Sequence, residues 1–212
     1  MVATLGDSLP RGFVVPTLVG QYVRLEPLSD DHVGPLLDAA SEGRATYGYT
    51  PVPGDGESMA RHVDVLCRDA DAGLVVPFTQ IDASNGRVLG MTRFMTIRTI
   101  SRRSTPYAVE IGGTWLAASA QRTRVNTEAK LLLLRYAFDV WSVSRVDLKT
   151  DRRNDRSRAA ISRLGATFEG ILRHWQPSVA EGEEGLFRDT AMFSIIDDEW
   201  PKVASRLETL LR

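Results

Sequence analysis

The chain has very little cysteine and no long apolar run, and each shortage argues against a class of protein. Cys67 is the single cysteine among 212 residues, so an intramolecular disulfide is impossible and a reducing compartment is expected. No apolar run approaches the roughly 20 residues that cross a bilayer, and residues 1–20 lack the basic and apolar regions of a signal peptide. The sequence therefore predicts a cytoplasmic protein that is not inserted in a membrane.

The chain also lacks a large net charge of either sign and a cluster of metal-ligating residues. The net charge is −1, which argues against a nucleic-acid partner because such binders are usually basic. His32, His62 and His174 are scattered and have no cysteine or carboxylate at ligand spacing, so no metal site is predicted. The remaining composition, 43% hydrophobic and 25% charged, is typical of a globular protein.

The order of the predicted elements indicates one α/β domain. Glycine and proline recur through residues 1–17, which are expected to form an extended lead-in to a single domain over residues 18–212. Within that domain the apolar periodicities predict the order β-α-α-β-β-β-α-β-α-β-β-α. A β-meander followed by βαβαβ predicts a mixed sheet with helices on both faces.

Two helix starts in the second half of the chain suggest an anion site. The pattern predicts a strand at 109–116, a polar turn at 121–126 and a long apolar helix over 123–141. A second strand at 145–150 and a second helix over 151–166 follow. Unpaired N–H groups and the helix dipole bind anions at a helix start, and Arg122 and Arg124 can add charge-assisted hydrogen bonds. Taken alone, such a turn is more often a solvated polar segment.

The combined pattern resembles the GNAT acyltransferase superfamily. The resemblance is carried by EIGGTWL (110–116), QRTRVNTEAKLLLLRYAF (121–138), RVDLKTDRRNDRSRAAISRLGATFEGILR (145–173) and FRDTAMFSIIDDEWP (187–201). LVGQYVRLEPLSDDH (18–32) is similar to the opening of the branch that includes the Rim-type ribosomal-protein N-acetyltransferases. The likeness covers residues 18–201, nearly the whole chain.

This resemblance implies a mostly antiparallel sheet of six or seven strands, splayed between the fourth and fifth, with acyl-CoA in the splay. The pantetheine arm is expected along the strand at 109–116, the pyrophosphate at the turn that follows, and further contacts at the second helix start. The residues implied are Thr114, Trp115, Leu116, Gln121, Arg122, Thr123, Arg124, Val125, Asn126, Thr127, Asn154 and Arg156.

Two residues are expected to carry the chemistry. Glu110 resembles the family's candidate base, which removes a proton from the attacking amine. Ser157 resembles the serine of the Rim-type branch, whose hydroxyl protonates or hydrogen-bonds the departing thiolate. A solvent-facing strand glutamate and an ordinary first-turn serine are the competing interpretations. Tyr47, Tyr49, Trp115, Trp175 and Asp189 are weaker candidates for the acceptor side.

Two departures from the family pattern keep an alternative open. Arg124 and Asn126 stand where the phosphate loop commonly has glycine, which permits close approach and positive φ. Side chains there are expected to crowd the loop unless it takes another path, and Arg124 is expected to fold outward and clamp a phosphate. Ile161 occupies the position of the tyrosine that many members use as the acid. A non-catalytic acyl-CoA-binding or interaction module is therefore the alternative.

The sequence thus predicts an acyl-CoA-dependent N-acyltransferase that acts by direct attack in a ternary complex. Acetyl is the expected acyl group, while Arg93, Arg122 and Arg124 would suit an acidic group such as succinyl. The acceptor is an amine: a protein N-terminus, a lysine or a small molecule. A homodimer formed through residues 187–211 is a further expectation. A nucleotide-binding protein of another kind is disfavoured because the Gly-rich phosphate motifs are missing.

Overall fold

One open sheet forms the centre of the molecule, which the computed structural model describes over residues 13–212. The strands are β1 Leu18–Val19, β2 Val23–Pro27, β3 Val76–Asp82, β4 Val88–Arg98, β5 Ala108–Leu116, β6 Arg145–Asp151, β7 Thr167–Pro177 and β8 Phe187–Ile196. They are arranged in the order β1-β2-β3-β4-β5-β6-β8-β7. Every neighbouring pair is antiparallel except β5 and β6, which are parallel.

Within residues 13–212, five α-helices flank the sheet. They are α1 Val33–Ser41, α2 Gly56–Asp71, α3 Val125–Arg135, α4 Asp155–Leu164 and α5 Trp200–Leu211. Local sequence specifies several helix ends, as when the Asp55 carboxylate accepts the N–H of Ser58 at 2.9 Å and caps α2. The end of α4 is set by Gly165, whose φ of 103° is left-handed and suits glycine.

Separate apolar cores cover the two faces of the sheet. On one face α1 and α2 contribute Leu36 and Met59, both fully buried. On the other face α3, α4 and α5 contribute Leu133, Ile161 and Val203. Since alternate side chains of a strand point to opposite faces, the central strands supply residues to both cores. The helices on both faces agree with the predicted layer arrangement.

β5 and β6 are paired over only three residues of each strand and then diverge. The pairs are Ala108 with Arg145, Val109 with Val146, and Glu110 with Asp147. On its other side β5 shifts register against β4, and Gly113 takes a φ of 56° within that bulge. A bulge bends its strand, so residues 111–116 turn their free edge toward a gap. This gap is the predicted splay.

The predicted order of elements is confirmed, with the two-residue β1 added in front of the first expected strand. Seven longer strands match the upper end of the expected number. The helix expected over 123–141 is shorter: α3 begins at Val125, and Tyr136–Val140 continue it as a π-helical turn. Of the expected lead-in, residues 1–12 lie outside the described part of the chain, while Val15 is buried in the core.

Candidate active site

A cavity of about 480 Å³ lies where β5 and β6 part. Its walls are the free edge of β5, the loop before α3, the first turns of α3 and α4, and residues 46–51. Unpaired backbone groups along a strand edge offer hydrogen bonds to an extended ligand. We call the region around Glu110 the inner end of the cavity and the region around residues 121–126 its outer end.

The outer end presents the N-terminus of α3. The first N–H groups of an α-helix lack intrahelical partners, and here the N–H of Val125 donates to Thr123 Oγ1 at 3.3 Å. Thr123, Asn126 and Thr127 line the cavity. Glycines at 124 and 126 would permit positive φ at those positions, whereas here the positive φ, 60°, is at Arg122. The loop therefore follows a different path. Arg122 also lines the cavity and is exposed.

Two side chains that were expected to bind the cofactor lie outside the cavity. Arg124 has a helical φ of −71° and extends away, donating to Tyr22 Oη and to the carbonyl oxygen of Arg212, both at 3.2 Å. Its guanidinium also lies 5.3 Å from the Tyr22 ring centroid. Val125 is buried in the core. In this conformation the Arg124 side chain does not reach the cavity. It therefore neither forms the expected phosphate clamp there nor blocks the cavity.

Gln121 joins three parts of the outer end. Its Nε2 donates to Thr46 Oγ1 and to the carbonyl oxygen of Leu116, and its Oε1 accepts from Arg156, each at 2.9 Å. The Leu116 carbonyl accepts a second bond from the Tyr47 hydroxyl at 2.9 Å. Because both ends of its amide are engaged, Gln121 holds the rim together and orients Arg156 toward the cavity.

The side chain of Thr114 is bound by a buried lysine that sequence reasoning missed. Lys130 Nζ donates to Thr114 Oγ1 at 2.6 Å and to Thr92 Oγ1 at 3.1 Å. Burial lowers the pKa of Lys130 to about 7, because an ammonium group loses its hydration there. In the sequence Lys130 directly precedes four leucines of α3, and nothing distinguishes it from a surface lysine.

The aromatic candidates for the acceptor side fall into two groups. Tyr47, Tyr49 and Trp115 line the cavity, although the Trp115 ring packs edge-on against Tyr47 in the core beneath α1 and α2. Two other acceptor-side candidates do not line it. Trp175 is half-exposed on β7, and Asp189 on β8 accepts the N–H of His174 at 3.0 Å, where β7 shifts register against β8. Of these candidates, Tyr47, Tyr49 and Trp115 therefore border the cavity.

The start of α4 carries three of the predicted residues. Asn154 Oδ1 accepts the N–H of Ser157 at 3.1 Å and so caps the helix, which leaves the amide NH₂ of Asn154 available as a donor. Asn154, Arg156 and Ser157 all line the cavity. Ile161 also lines it, one turn further along, in the position where a tyrosine is common. Ser157 is thus the hydroxyl that α4 offers to the cavity.

Glu110 is buried at the inner end, at the last residue pair before the strands part. Its Oε2 accepts from Thr96 Oγ1 at 2.9 Å and pairs with Lys149 Nζ at 2.9 Å, across the gap from β6. Its Oε1 lies over Gly112, where a Cβ would approach it to 2.9 Å. A side chain at position 112 would therefore crowd the carboxylate. Both contacts above involve Oε2, so Oε1 is available to accept a proton from a ligand.

Thr96, which donates to Glu110, has an unusual backbone. Its φ is 49°, an outlier for a β-branched residue, at the second register shift between β4 and β5. Strain of this kind persists where surrounding contacts impose it, and it clusters at functional sites. Sequence reasoning selected Glu110 but missed Thr96 and Lys149, because their contact with it depends on how three strands are placed side by side.

The family model for the GNAT acetyltransferase domain matches residues 23–167. The chain belongs to the GNAT acetyltransferase family. The match runs from the start of β2 to the start of β7, and so includes β5, β6 and the starts of α3 and α4, but not Arg188 on β8.

Solved structures agree with this assignment. A GCN5-related N-acetyltransferase from Brucella melitensis is 28% identical, with 98% of this chain and 91% of that chain covered and a TM-score of 0.81. A T. thermophilus chain assigned to the acetyltransferases is 30% identical, with coverage of 94% and 99% and a TM-score of 0.77. Mycobacterium smegmatis RimJ, solved with CoA-disulfide, shares the fold at 20% identity, coverage of 89% and 88%, and a TM-score of 0.73.

Among curated protein sequences, none matches the chain. The expected GNAT-family N-acyltransferase and its fold are nonetheless confirmed by the family model and by the solved structures. Over residues 13–212, no helix is both long and apolar enough to cross a membrane. The same residues contain no group of three or more side chains suited to hold a metal ion.

Proposed function

We propose that this GNAT enzyme transfers an acetyl group from acetyl-CoA to a primary amine, with Glu110 as general base and Ser157 as general acid. The observation that carries the proposal is the cavity between the parted strands, with a buried carboxylate at its inner end and two helix N-termini at its outer end. CoA is an elongated anion. Its pyrophosphate suits the helix N-termini at the outer end, and its thioester suits the inner end beside the carboxylate.

The chain offers CoA three kinds of contact. The free edge of β5 around residues 114–116 suits the amide groups of a pantetheine arm, and the NH₂ of Asn154 adds a donor from the opposite wall. The N–H groups of the first turn of α3 suit a pyrophosphate. Arg122 and Arg156, which also line the cavity, add positive charge beside them. The residues therefore fit CoA, although Arg124 and Val125 contribute no side chain.

The proposed chemistry needs a base, an acid and a polarising group. When bound, acetyl-CoA supplies a thioester carbonyl carbon, to which the amine nitrogen bonds as the carbon–sulfur bond breaks. Glu110 Oε1 takes a proton from the attacking nitrogen, directly or through water. The backbone N–H groups of β5 near Leu116 stabilise charge on the carbonyl oxygen. The Ser157 hydroxyl gives its proton to the departing sulfur and is reprotonated from solvent, to which Glu110 returns the proton that it took from the amine.

The acceptor is proposed by class only. RimJ and the ribosomal-protein acetyltransferases share this fold at 15 to 20% identity, so a protein N-terminus is one option beside lysine or a small amine. We propose residues 46–51, which line the cavity, as the wall that contacts the acceptor in each case. The cytoplasmic location stays a prediction.

We also propose a homodimer, with its interface at the edge strand β7 and the adjoining end of β8, whereas the sequence pointed to residues 187–211. β7 is an edge strand of the sheet, and the apolar residues Phe168, Trp175 and Phe187 on β7 and β8 are 46, 51 and 57% exposed. A free edge with apolar side chains favours pairing with a second copy. Sedimentation analysis should give a dimer that Trp175→Asp converts to a monomer, while Val65→Asp on α2 leaves it intact. A monomeric wild-type protein would remove this proposal.

The donor is tested with purified protein. Acetyl-CoA at about 100 times its Kd should raise the Tm by about 5–10 °C, and thiol should be released when a primary amine is added. Acetyl phosphate, which lacks the CoA moiety, is the control and should do neither. Binding without thiol release across protein N-terminal peptides, lysine peptides and small amines would favour the non-catalytic alternative. No stabilisation by any acyl-CoA would contradict both interpretations.

A further inference from the structure

We infer that the inner end of the cavity binds a carboxylate between Arg93 and Arg188, so that one of the two reactants carries this group close to the reacting atoms. This inference rests on the proposed acyl transfer to an amine and specifies the class of one reactant: either the acceptor carries a carboxylate, or a dicarboxylic acyl group takes the place of acetyl on CoA. It concerns the inner end alone, and the outer end with its exposed arginines is left to CoA.

Arg188 on β8 provides the strongest observation. Its residue surface is only 8% exposed, it lines the cavity, and its Nε is buried without a hydrogen-bond partner. Buried polar groups are normally hydrogen-bonded, and a buried guanidinium without a partner is costly. A side chain kept in this state within a cavity is best explained by a partner that arrives with the ligand.

Arg93 on β4 repeats this arrangement from the other wall. It lines the cavity, and its Nε is also buried without a hydrogen-bond partner. Its guanidinium lies over Gly113, where a Cβ would come within 2.7 Å of Arg93 Cζ. The glycine of the β5 bulge therefore makes the space that Arg93 occupies. Burial lowers the pKa of Arg93 and of Arg188, in agreement with incomplete solvation.

The nearby acidic groups do not neutralise these arginines. The charge of Glu110 acts on both of them, yet Glu110 forms its ion pair with Lys149. The charge of Asp69 on α2 also acts on Arg93, although the two side chains form no ion pair. The charge of Asp151 acts on Arg188, yet Asp151 is paired with Arg153. Among residues 13–212, no carboxylate lies within 4.0 Å of either guanidinium.

The charge count at the inner end is therefore unbalanced. Arg93, Arg188 and Lys149 give three cations, and Glu110 gives one carboxylate. Two positive charges remain after the ion pair is counted. A guanidinium binds a carboxylate through paired N–H donors, and two of them facing one cavity favour an anionic ligand over a neutral or cationic one.

The carboxylate has two chemical sources. It is either the far end of a dicarboxylic acyl group on CoA, such as succinyl, or the carboxylate of an amino-acid acceptor. Both bring the same group to the same arginines. A neutral acetyl group transferred to an amine without a carboxylate would leave the pair unused.

The experiment has one arm for each source. In the donor arm, the Kd of the protein is measured for succinyl-CoA and for acetyl-CoA. In the acceptor arm, kcat/KM is measured with acetyl-CoA for free amino acids and for their carboxamides. Because a charge-assisted pair is among the stronger hydrogen bonds, we expect a preference of about tenfold or more for the carboxylate in one arm.

Variants connect that preference to the arginines. Arg188→Met and, separately, Arg93→Met should reduce it to about threefold or less, whereas Arg152→Met, exposed and outside the cavity lining, should keep it. Arg188→Lys keeps a charge but loses the planar fork, and should give an intermediate value. Arg188→Met should also leave the Tm of the ligand-free protein unchanged or higher, because an unpartnered buried cation is removed.

Three results would overturn the inference. They are the lack of any carboxylate preference in both arms, its persistence in both methionine variants, and a lower Tm in Arg188→Met, which would assign that residue a structural role. Failure of the proposed function looks different, because then neither acetyl-CoA nor succinyl-CoA binds and no thiol is released with any amine.

Discussion

The two ends of the cavity deal with charge in opposite ways. At the outer end, Arg122 and Arg156 are exposed and stand beside helix N–H groups. At the inner end, Glu110 and Arg188 are buried, and Lys149 is nearly so. Exposed charges are screened by water and salt, whereas buried charges are screened little and are costly without a partner. Changes at the inner end should therefore alter turnover or pH dependence strongly, and changes at the outer end should alter affinity weakly.

The largest effect is expected from Glu110→Gln. It removes the proposed base without changing its shape, and kcat/KM should fall about 10²- to 10⁴-fold. Lys149→Met breaks the same ion pair but keeps the carboxylate, and it should cost less than about tenfold. Initial rates of thiol release measure both. Equal losses in the two variants would mean that the ion pair matters and the base does not.

The next effect is a pH dependence of stability that Lys130 should cause. Its pKa falls from 10.5 to about 7 on folding, so between these values the unfolded chain binds the extra proton. Protonation of Lys130 therefore costs no stability above pH 10.5, and this cost grows as the pH falls and is complete below about 7. Within that window this group should raise the free energy of unfolding by up to about 1.4 kcal/mol per pH unit.

Lys130→Met tests this expectation by denaturant unfolding at pH 7 and pH 9. The variant should gain stability relative to the wild type at pH 7, and the gain should shrink by about 2 kcal/mol at pH 9. Thr92 and Thr114 bond each other at 2.9 Å in the wild type, so each hydroxyl keeps a partner when Lys130 is replaced. Lys202→Met, exposed on α5, is the control and should show no such trend. If the difference in unfolding free energy between variant and wild type were the same at both pH values, Lys130 would lie in a solvated environment.

Ser157→Ala should have a smaller effect, because a thiolate is already a good leaving group. We expect kcat to fall about tenfold and KM to stay unchanged, since the backbone N–H of Ser157 still donates to Asn154. Ser162→Ala on the exposed side of the same helix is the matched control. An unchanged kcat for Ser157→Ala would assign the proton to solvent.

The smallest effect belongs to the outer end. Arg122→Asn, which tolerates the positive φ, should raise the KM for acyl-CoA about three- to fivefold at low salt and less at 0.5 M salt. Arg124→Asn should leave the KM unchanged, because Arg124 contacts Tyr22 and the C-terminal carbonyl instead of the cavity. A larger rise in KM for Arg124→Asn than for Arg122→Asn would mean that the Arg124 side chain turns into the cavity when CoA binds.

Most of the fold was predictable because its signals are local. The alternating strands, the Asp55 and Asn154 caps and the Gly165 stop are specified by neighbouring residues. The π-helical turn after α3 and the two-residue β1 carried no such signal. Their existence depends on tertiary contacts, such as the Glu128 carboxylate, which accepts the N–H groups of residues 21–23 beside β1.

The site was predictable only in part. Motif resemblance selected Glu110, Asn154 and Ser157, and all three line one cavity. Resemblance also selected Arg124, whose side chain the structure directs elsewhere. Lys149 was missed because it meets Glu110 only through the parallel pairing of β5 and β6.

The sequence by itself determined the family, the order of elements and the two helix starts, because these depend on residue types at short, fixed spacings. Tertiary structure alone decided which charges share the inner end. Arg93, Glu110, Lys149 and Arg188 come from four different strands, and their distances are set by strand order, by the bulge at Gly113 and by the point where β5 and β6 part. Sheet registers formed far apart in the chain fix such distances, and side-chain spacing along the sequence contains no measure of them.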